Sequence, residues 1–165
     1  MMDIHQQMLC EQQGELFELS VDRFECASSM FAYVFMYSDI AKQLDKHDDP
    51  YYAISNTAIL EDLENKYSRL KTKGAKYPKQ VIYWIGYIYR AFSIIKRKSS
   101  SYIYYHFPAT KMLSLYETFH TYSIEYAVDK LEELLNEQKP HVDYYDIYKM
   151  VRSTPKFCAP RRRKK

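Results

Sequence analysis

Apolar residues recur three and four positions apart along most of the first 135 residues, a spacing that predicts amphipathic helices. The predicted helical segments are 3–25, Phe31–Tyr37, a short stretch after Ser38, Ser55–Leu70, about 79–97, Tyr102–Phe107, 109–117, Ser123–Asn136 and 142–151. Only three glycines and six prolines occur in 165 residues, which favours long helices over a many-stranded sandwich. We therefore expect an all-α fold, a compact multi-helix bundle formed by a single domain over residues 1–152.

The segment at about 79–97 is the most apolar of these helices and is expected to be the centre of the bundle. One stripe consists of Val81, Trp84, Ile85, Ile88, Phe92 and Ile95, and a second consists of Tyr83, Tyr87, Arg90 and Ile94. A helix that is apolar on most of its circumference is usually surrounded by other helices. We assign the Trp84 stripe to the core, whereas the Tyr83 stripe could face either the core or a partner. Gly86 would let a neighbouring helix cross closely.

Capping residues mark several helix ends. The Ser38 side chain is expected to accept a hydrogen bond from the backbone N–H of Ala41, and Ser99–Ser101 can cap the helix at Tyr102. Pro78 suits the first turn of the central helix, where its missing N–H costs nothing. Gly14 is expected to interrupt the first helix, because glycine has a low helix propensity.

Composition fits a folded chain without a membrane segment. Hydrophobic residues make up 47% and charged residues 27%. Neither a signal peptide nor an apolar run of about 18 residues is present, so we expect no membrane contact. Cys10, Cys26 and Cys158 form no CxxC pair and are odd in number. This argues against a disulfide framework and favours the reducing cytoplasm.

Charge is sorted into blocks along the chain. Residues 1–65 contain thirteen Asp or Glu and three Lys or Arg, whereas residues 66–116 contain eleven Lys or Arg and no acid. The chain ends in Arg161-Arg162-Arg163-Lys164-Lys165, within a basic tail over 153–165 that is expected to be flexible. Such sorting indicates a charged partner.

Two interpretations of the acid-free block stay open. Lys71, Lys73, Lys76 and Lys79 cluster beside aromatic residues, and together with the tail (Arg161, Arg162, Arg163, Lys164, Lys165) they could bind nucleic-acid phosphates. Alternatively, the lysines are simply solvated, the aromatic residues belong to the core and the tail only aids solubility.

No complete catalytic motif, phosphate-binding loop or metal-ligand set occurs in the sequence, so we expect neither an enzyme nor a cofactor. Glu117 and His120 share the three-residue spacing of some metal sites, but a structural histidine at a turn is the preferred interpretation. Cys26 is expected to be a buried thiol. The arginine–histidine spacing of helical ribonucleases is absent, since the gap from Arg97 to His106 is too long.

Several stretches carry a family resemblance: the run Phe35–Asp45, the string YWIGYIYR at Tyr83–Arg90, Ser99–Ser100, Tyr116 and His120–Thr121. Over about residues 20–135 the chain resembles small helical bacterial proteins of toxin–antitoxin and mobile-element operons. It departs from their pattern at Tyr122-Ser123, where an Asp-Pro-like turn is expected. The resemblance implies a binding protein that protects against a toxin with an ADP-ribosyltransferase-like fold, and it transfers no functional residues.

The sequence thus predicts an antitoxin-type protein that holds a partner toxin inactive by direct contact. Tyrosine, tryptophan and arginine are favoured in interface cores. The expected contact residues are Tyr83, Tyr87, Arg90, Tyr102, Tyr104 and Tyr105. The alternative is a transcriptional regulator that binds operator DNA through its basic surface and tail. The two functions can coexist, and formation of a homo-oligomer stays open.

Overall fold

The structure, a computed structural model, describes residues 1–46, 54–67 and 73–137. Within these ranges the chain forms eight α-helices and no strand. The helices are α1 (Ile4–Arg23), α2 (Ser28–Met36), α3 (Asp39–Leu44), α4 (Asn56–Lys66), α5 (Lys79–Lys96), α6 (Ser100–His106), α7 (Ala109–Phe119) and α8 (Ile124–Glu137). The predicted all-α fold is confirmed. The predicted helix at 142–151 and the basic tail lie outside the described residues.

The central contact of the fold is the crossing of α1 and α5. A β-carbon on Gly86 would lie 2.7 Å from the carbonyl oxygen of Gln13, and one on Gly14 would lie 2.9 Å from the ring of Tyr83. Each glycine therefore makes room for the opposite helix, and Gln13 Nε2 donates to the carbonyl oxygen of Gly86 over 3.0 Å. The close approach predicted at Gly86 is confirmed. The interruption predicted at Gly14 is wrong, because α1 continues through it.

The remaining sides of α5 pack against α6, α7 and α8, which explains why it is apolar almost all round. Most of its predicted core stripe is buried, including Trp84, Ile85, Ile88 and Phe92, whereas Ile95 is only partly buried. The Trp84 ring meets the Tyr116 ring of α7 edge to face at 5.5 Å between centroids. None of the described helices is long and apolar enough to cross a lipid bilayer.

Polar caps fix where the helices begin. The Ser38 hydroxyl accepts from the Ala41 N–H over 3.2 Å, as predicted. The Ser99 hydroxyl accepts from the Tyr102 N–H over 3.2 Å, again as predicted, so α6 begins at Ser100. Caps of this kind are worth about 1 kcal/mol each. They set the corner between α5 and α6, which carries one of the surfaces described below.

Part of the charge sorting is satisfied inside the fold. In the acid-free block, Lys79 pairs with Asp22 of α1, and Lys96 lies 2.7 Å from Asp129 and 2.6 Å from Glu132 of α8. Packing of the helices therefore pairs some of the basic residues with acidic ones. Only the charged residues outside such pairs are left to bind a partner.

Candidate partner-binding surfaces

Arg90, a predicted contact residue, is not on the surface. Its side chain is 0% exposed at the centre of the fold. The guanidinium donates from Nε to Gln13 Oε1 over 2.9 Å and from Nη1 to Asp45 Oδ1 over 2.8 Å. Burial lowers the pKa of Arg90, and the Asp45 carboxylate opposes that shift. The assignment of Arg90 to a partner contact is therefore corrected, because a side chain sealed in the monomer cannot dock.

Asp45 completes this buried network. Its Oδ1 accepts from the hydroxyls of Ser93 (3.2 Å) and Ser100 (2.6 Å), and its Oδ2 accepts from the backbone N–H of Ser100 over 2.8 Å. Arg90 Nη2 also donates to the Ser100 hydroxyl over 3.1 Å. These five residues, Gln13, Asp45, Arg90, Ser93 and Ser100, form what we call the Arg90 network. It ties α1, α5 and α6 to the end of α3.

Tyr104 is also withdrawn from the predicted contact set. Its side chain is only 9% exposed, and its hydroxyl donates to the carbonyl oxygen of Ser29 over 3.2 Å. Burial raises the pKa of the Tyr104 hydroxyl to about 12. The residue supports the exposed tyrosines around it, since its ring lies 5.8 Å from that of Tyr33 and 6.0 Å from that of Tyr37.

Tyr83 and Tyr87 reach the surface beside α1. Both are half-buried, and their ring centroids lie 6.2 Å apart. Burial raises the pKa of Tyr83, and the charges of Glu11, Glu15 and Glu18 add to the effect. Burial raises the pKa of Tyr87 to about 12, with Cys10 and Glu11 contributing. We call this surface, formed by Glu11, Glu15, Glu18, Tyr83 and Tyr87, the acidic tyrosine face.

The carboxylates of the acidic tyrosine face are free of ion pairs within the described part of the chain. Glu11, Glu15 and Glu18 follow one another at helical spacing, so they share one side of α1. Two apolar side chains, Met8 and Leu19, are exposed on the same side of that helix. The face thus combines unneutralised negative charge, exposed apolar area and two aromatic rings.

Tyr102 and Tyr105, the other predicted contact residues, lie on a different side of the molecule. Tyr105 is 64% exposed and meets the His106 ring at 5.0 Å, and Tyr102 meets the same ring at 4.6 Å. Burial and the charge of Lys111 lower the pKa of His106, so its ring is neutral at pH 7. Lys98 Nζ lies 5.4 Å from the centre of the Tyr102 ring.

A basic cleft adjoins these rings. It has a volume of about 300 Å³ and is lined by Asp45, Lys46, Arg97, Lys98 and Ser99. Lys46, Arg97 and Lys98 are exposed, and none of them forms an ion pair with another described residue. Both Asp45 oxygens already accept hydrogen bonds in the Arg90 network, so its charge is compensated from inside.

We call the second surface the basic tyrosine face. It joins the cleft cations to the aromatic residues of α6 and α2. Its members are Lys46, Arg97, Lys98, Tyr102, Tyr105, His106, Tyr33 and Tyr37. The exposed members of the predicted contact set therefore divide between two faces, whereas Arg90 and Tyr104 are buried.

The predicted nucleic-acid residues are only partly available. Lys79 is paired with Asp22, and Lys76 Nζ donates to the carbonyl oxygen of Phe24. Lys73 is exposed and forms no ion pair with a described residue. Lys71 and the tail cations at 161–165 lie outside the described residues.

The two described cysteines and His120 have surroundings that fit structural roles. Cys26 is a buried thiol, as predicted, and burial raises the pKa of Cys10 to about 12. His120 Nδ1 lies 2.7 Å from the carbonyl oxygen of Tyr116, and the two rings stack at 4.4 Å. These contacts agree with the structural interpretation of His120. Within the described ranges no three His, Cys, Asp or Glu side chains gather where a metal could bind.

Sequence reasoning missed the charged members of both faces, although signals for them exist. Glu11, Glu15 and Glu18 follow one side of a helix whose opposite side is apolar, which indicates an exposed acidic ridge. Arg97 stands at the end of α5 in the left-handed conformation, with φ 53° and ψ 43°. Glycine is the usual residue at such a position, so an arginine there is a signal in itself.

No protein-family model matches the chain, and neither a curated protein nor a solved structure matches it. The two faces are therefore the basis of the functional proposals below.

Proposed function

We propose that this protein is an antitoxin-type binding protein that neutralises a partner toxin by direct contact through the acidic tyrosine face. The observation that carries the proposal is the position of Tyr83 and Tyr87, half-buried beside three glutamates that have no described ion-pair partner. Tyrosine can bury a large area while losing few rotamers, and its hydroxyl keeps a polar contact. The face has the composition of an interface core with an acidic rim.

The charge of the face fits a cationic cleft. The partner expected from the family resemblance is an ADP-ribosyltransferase-like toxin, and an enzyme that transfers ADP-ribose must bind a pyrophosphate. A cleft built for phosphates supplies arginine, lysine or backbone N–H groups. Carboxylates at Glu11, Glu15 and Glu18 complement such a cleft and would block it, which is inhibition by occupancy. The protein then acts in the cytoplasm as a binding partner and performs no catalysis.

Coexpression with the product of the neighbouring gene tests the proposal. The wild-type chain should copurify with that product and should restore growth when both are produced. The triple variant Glu11→Lys, Glu15→Lys, Glu18→Lys should lose both properties, because like charges across an interface cost several kcal/mol. Tyr87→Ala should weaken binding by about 2 kcal/mol, as hot-spot residues do.

Glu117→Lys is the matched control. Glu117 is exposed on α7 and outside the acidic tyrosine face, so this reversal should leave copurification and growth unchanged. Thermal unfolding of every variant shows that the fold is retained. A wild-type chain that neither copurifies nor restores growth would reject the proposed function. A triple variant that still does both would reject the acidic tyrosine face as the contact.

A further inference from the structure

Three exposed cations converge at the corner between α5 and α6. Lys46 follows α3, whereas Arg97 and Lys98 join α5 to α6, and all three line one cleft of about 300 Å³. In contrast, Lys79, Lys96 and Lys130 are each paired with carboxylates of neighbouring residues. The corner therefore carries positive charge that packing against the described acids leaves uncompensated.

The backbone of Arg97 has an energetically unfavourable conformation. Its backbone is left-handed, the only positive φ among the described non-glycine residues. An L-residue in that conformation is less stable than glycine would be. Such an outlier at a surface is a reason to look for a function. The left-handed turn places Arg97 beside Lys46 in the cleft instead of continuing α5.

Aromatic rings continue from this cleft across the surface. Lys98 lies over Tyr102, Tyr102 meets His106, and His106 meets Tyr105. Beyond them, the rings of Tyr33 on α2 and of Tyr37, which directly follows that helix, lie 4.9 Å apart between centroids. The ring of Tyr104, the neighbour of Tyr105 on α6, lies 5.8 Å from that of Tyr33 and 6.0 Å from that of Tyr37, so this pair packs against α6. Tyr33 is 50% exposed and Tyr105 64%, so their ring faces and edges are accessible.

We propose that the basic tyrosine face binds single-stranded nucleic acid, with phosphates in the Lys46–Arg97–Lys98 cleft and bases against the tyrosines. Proteins that bind single strands combine a cationic groove with aromatic rings on which unpaired bases stack. A duplex hides its base faces, so it can use the cations but not the rings. An acidic peptide can pair with the cations, but it lacks the planar bases that stack on aromatic rings. This inference is independent of the proposed function, which uses the opposite charge and other residues.

Fluorescence anisotropy with the full-length chain tests this. All variants carry glutamine at the five basic positions of 161–165, so that the tail adds no phosphate contact. The probe is a labelled twelve-nucleotide oligothymidine, titrated between 50 and 200 mM salt. Three phosphate contacts should give a log–log salt slope of about −2, from about −0.7 per contact on single strands. A labelled duplex of the same length should bind at least tenfold more weakly.

Variants separate the contribution of charge from that of stacking. The triple variant Lys46→Gln, Arg97→Gln, Lys98→Gln should lose at least tenfold in affinity, and its salt slope should flatten. Tyr105→Ala should lose about fivefold or more at an unchanged slope, because stacking is worth about 1–3 kcal/mol per base. Lys130→Gln is the control, since this lysine of α8 lies outside both tyrosine faces and is paired with Glu133, and it should bind as the parent does.

Several results would overturn the inference. The first is a tail-neutral chain that does not bind the oligonucleotide in 50 mM salt. The second is an equal loss of affinity from Lys130→Gln and from the triple variant, which would mean that binding follows the net charge of the protein and not this face. The third is duplex binding as tight as single-strand binding together with no effect of Tyr105→Ala, which would leave only a polyanion patch.

Discussion

The acidic tyrosine face and the basic tyrosine face use the same aromatic residue with opposite charge. On the first, Tyr83 and Tyr87 emerge from the central helix between the glutamates of α1. On the second, Tyr102 and Tyr105 lie on a short helix beside Lys98 and the basic cleft. Charge is what distinguishes the two faces, because tyrosine is common to both. On that ground we proposed a cationic enzyme cleft as the partner of the acidic tyrosine face and phosphates as that of the basic tyrosine face.

The two faces also differ in how they are held. The acidic tyrosine face depends on the close crossing of α1 and α5, where Gly14 accepts the ring of Tyr83. The basic tyrosine face depends on the Arg90 network, because Asp45 holds the first turn of α6 through the Ser100 N–H. Arg90 and Gln13 connect the two supports, so a change in one support can reach the other face.

Disruption of the Arg90 network should have the largest effect on the free energy of unfolding. Asp45→Asn leaves the fully buried Arg90 without a counter-charge, and removal of one partner of a buried pair costs about 3–5 kcal/mol. We expect a loss of this size in the free energy of unfolding measured with urea. Asp62→Asn, which breaks the exposed pair with Lys66, should cost about 0.5 kcal/mol or less. Similar losses from the two variants would contradict the role given to the network.

The second largest effect on stability is expected at the crossing of α1 and α5, where Gly14 and Gly86 lie. Gly86→Ala places a β-carbon 2.7 Å from the Gln13 carbonyl oxygen, where backbone has to move. Overpacking of this kind costs about 1–3 kcal/mol, which chemical unfolding can measure. Gly14→Ala meets the Tyr83 ring instead, and a side chain can swing away more easily than backbone. Gly14→Ala should therefore cost less stability than Gly86→Ala, and it should weaken the copurification proposed for the acidic tyrosine face. The reverse order of stabilities would argue against this crossing geometry.

The free energy of unfolding should fall at alkaline pH because of Tyr104, the buried tyrosine that packs against Tyr33 and Tyr37 of the basic tyrosine face. Burial raises the pKa of the Tyr104 hydroxyl in the folded protein to about 12, whereas the hydroxyl of the unfolded chain titrates near its ordinary pKa of about 10. The stabilising contribution is complete below pH 10 and is lost as pH rises toward 12. One such group changes the slope by at most about 1.4 kcal/mol per pH unit. In Tyr104→Phe, the free energy of unfolding should fall less steeply between pH 10 and 12 than in wild type. Below pH 9 the pH profiles of the two proteins should run parallel.

A small gain in stability is expected from a change at Arg97. Arg97→Gly relieves the left-handed conformation, worth about 1–2 kcal/mol, but adds the flexibility of glycine, which costs about 0.5–1 kcal/mol. The variant should therefore gain about 0.5–1 kcal/mol in the free energy of unfolding and bind oligothymidine more weakly. A variant that is less stable than wild type would mean that the Arg97 side chain supports the fold.

The sequence was sufficient for the helices because local signals decide them. The Ser38 and Ser99 caps and the buried stripe of Trp84 follow from side-chain chemistry and helical spacing, and the structure confirms them. The continuity of α1 through Gly14 did not follow, since tertiary packing outweighed a propensity of about 1 kcal/mol.

The candidate faces could be predicted only in part. Arg90 shares a stripe with Tyr83 and Tyr87, so helical spacing placed the three together. Its burial depends on Asp45, which lies 45 positions away in sequence, and on where α3 ends and α6 begins. Periodicity gives the side of a helix but not the length over which a neighbour covers it. Tyr104 and the next residue, Tyr105, point to different sides of α6, and only the tertiary structure shows that the side of Tyr104 is the covered one.

The most direct test of the account is to reverse the charge of each face separately and to measure copurification with the neighbouring gene product. One variant combines Glu11→Lys, Glu15→Lys and Glu18→Lys, and the other combines Lys46→Glu, Arg97→Glu and Lys98→Glu. The first variant should lose copurification with that product, and the second should retain it. Retention by the first variant, or equal loss by both folded variants, would contradict the division of labour between the two faces.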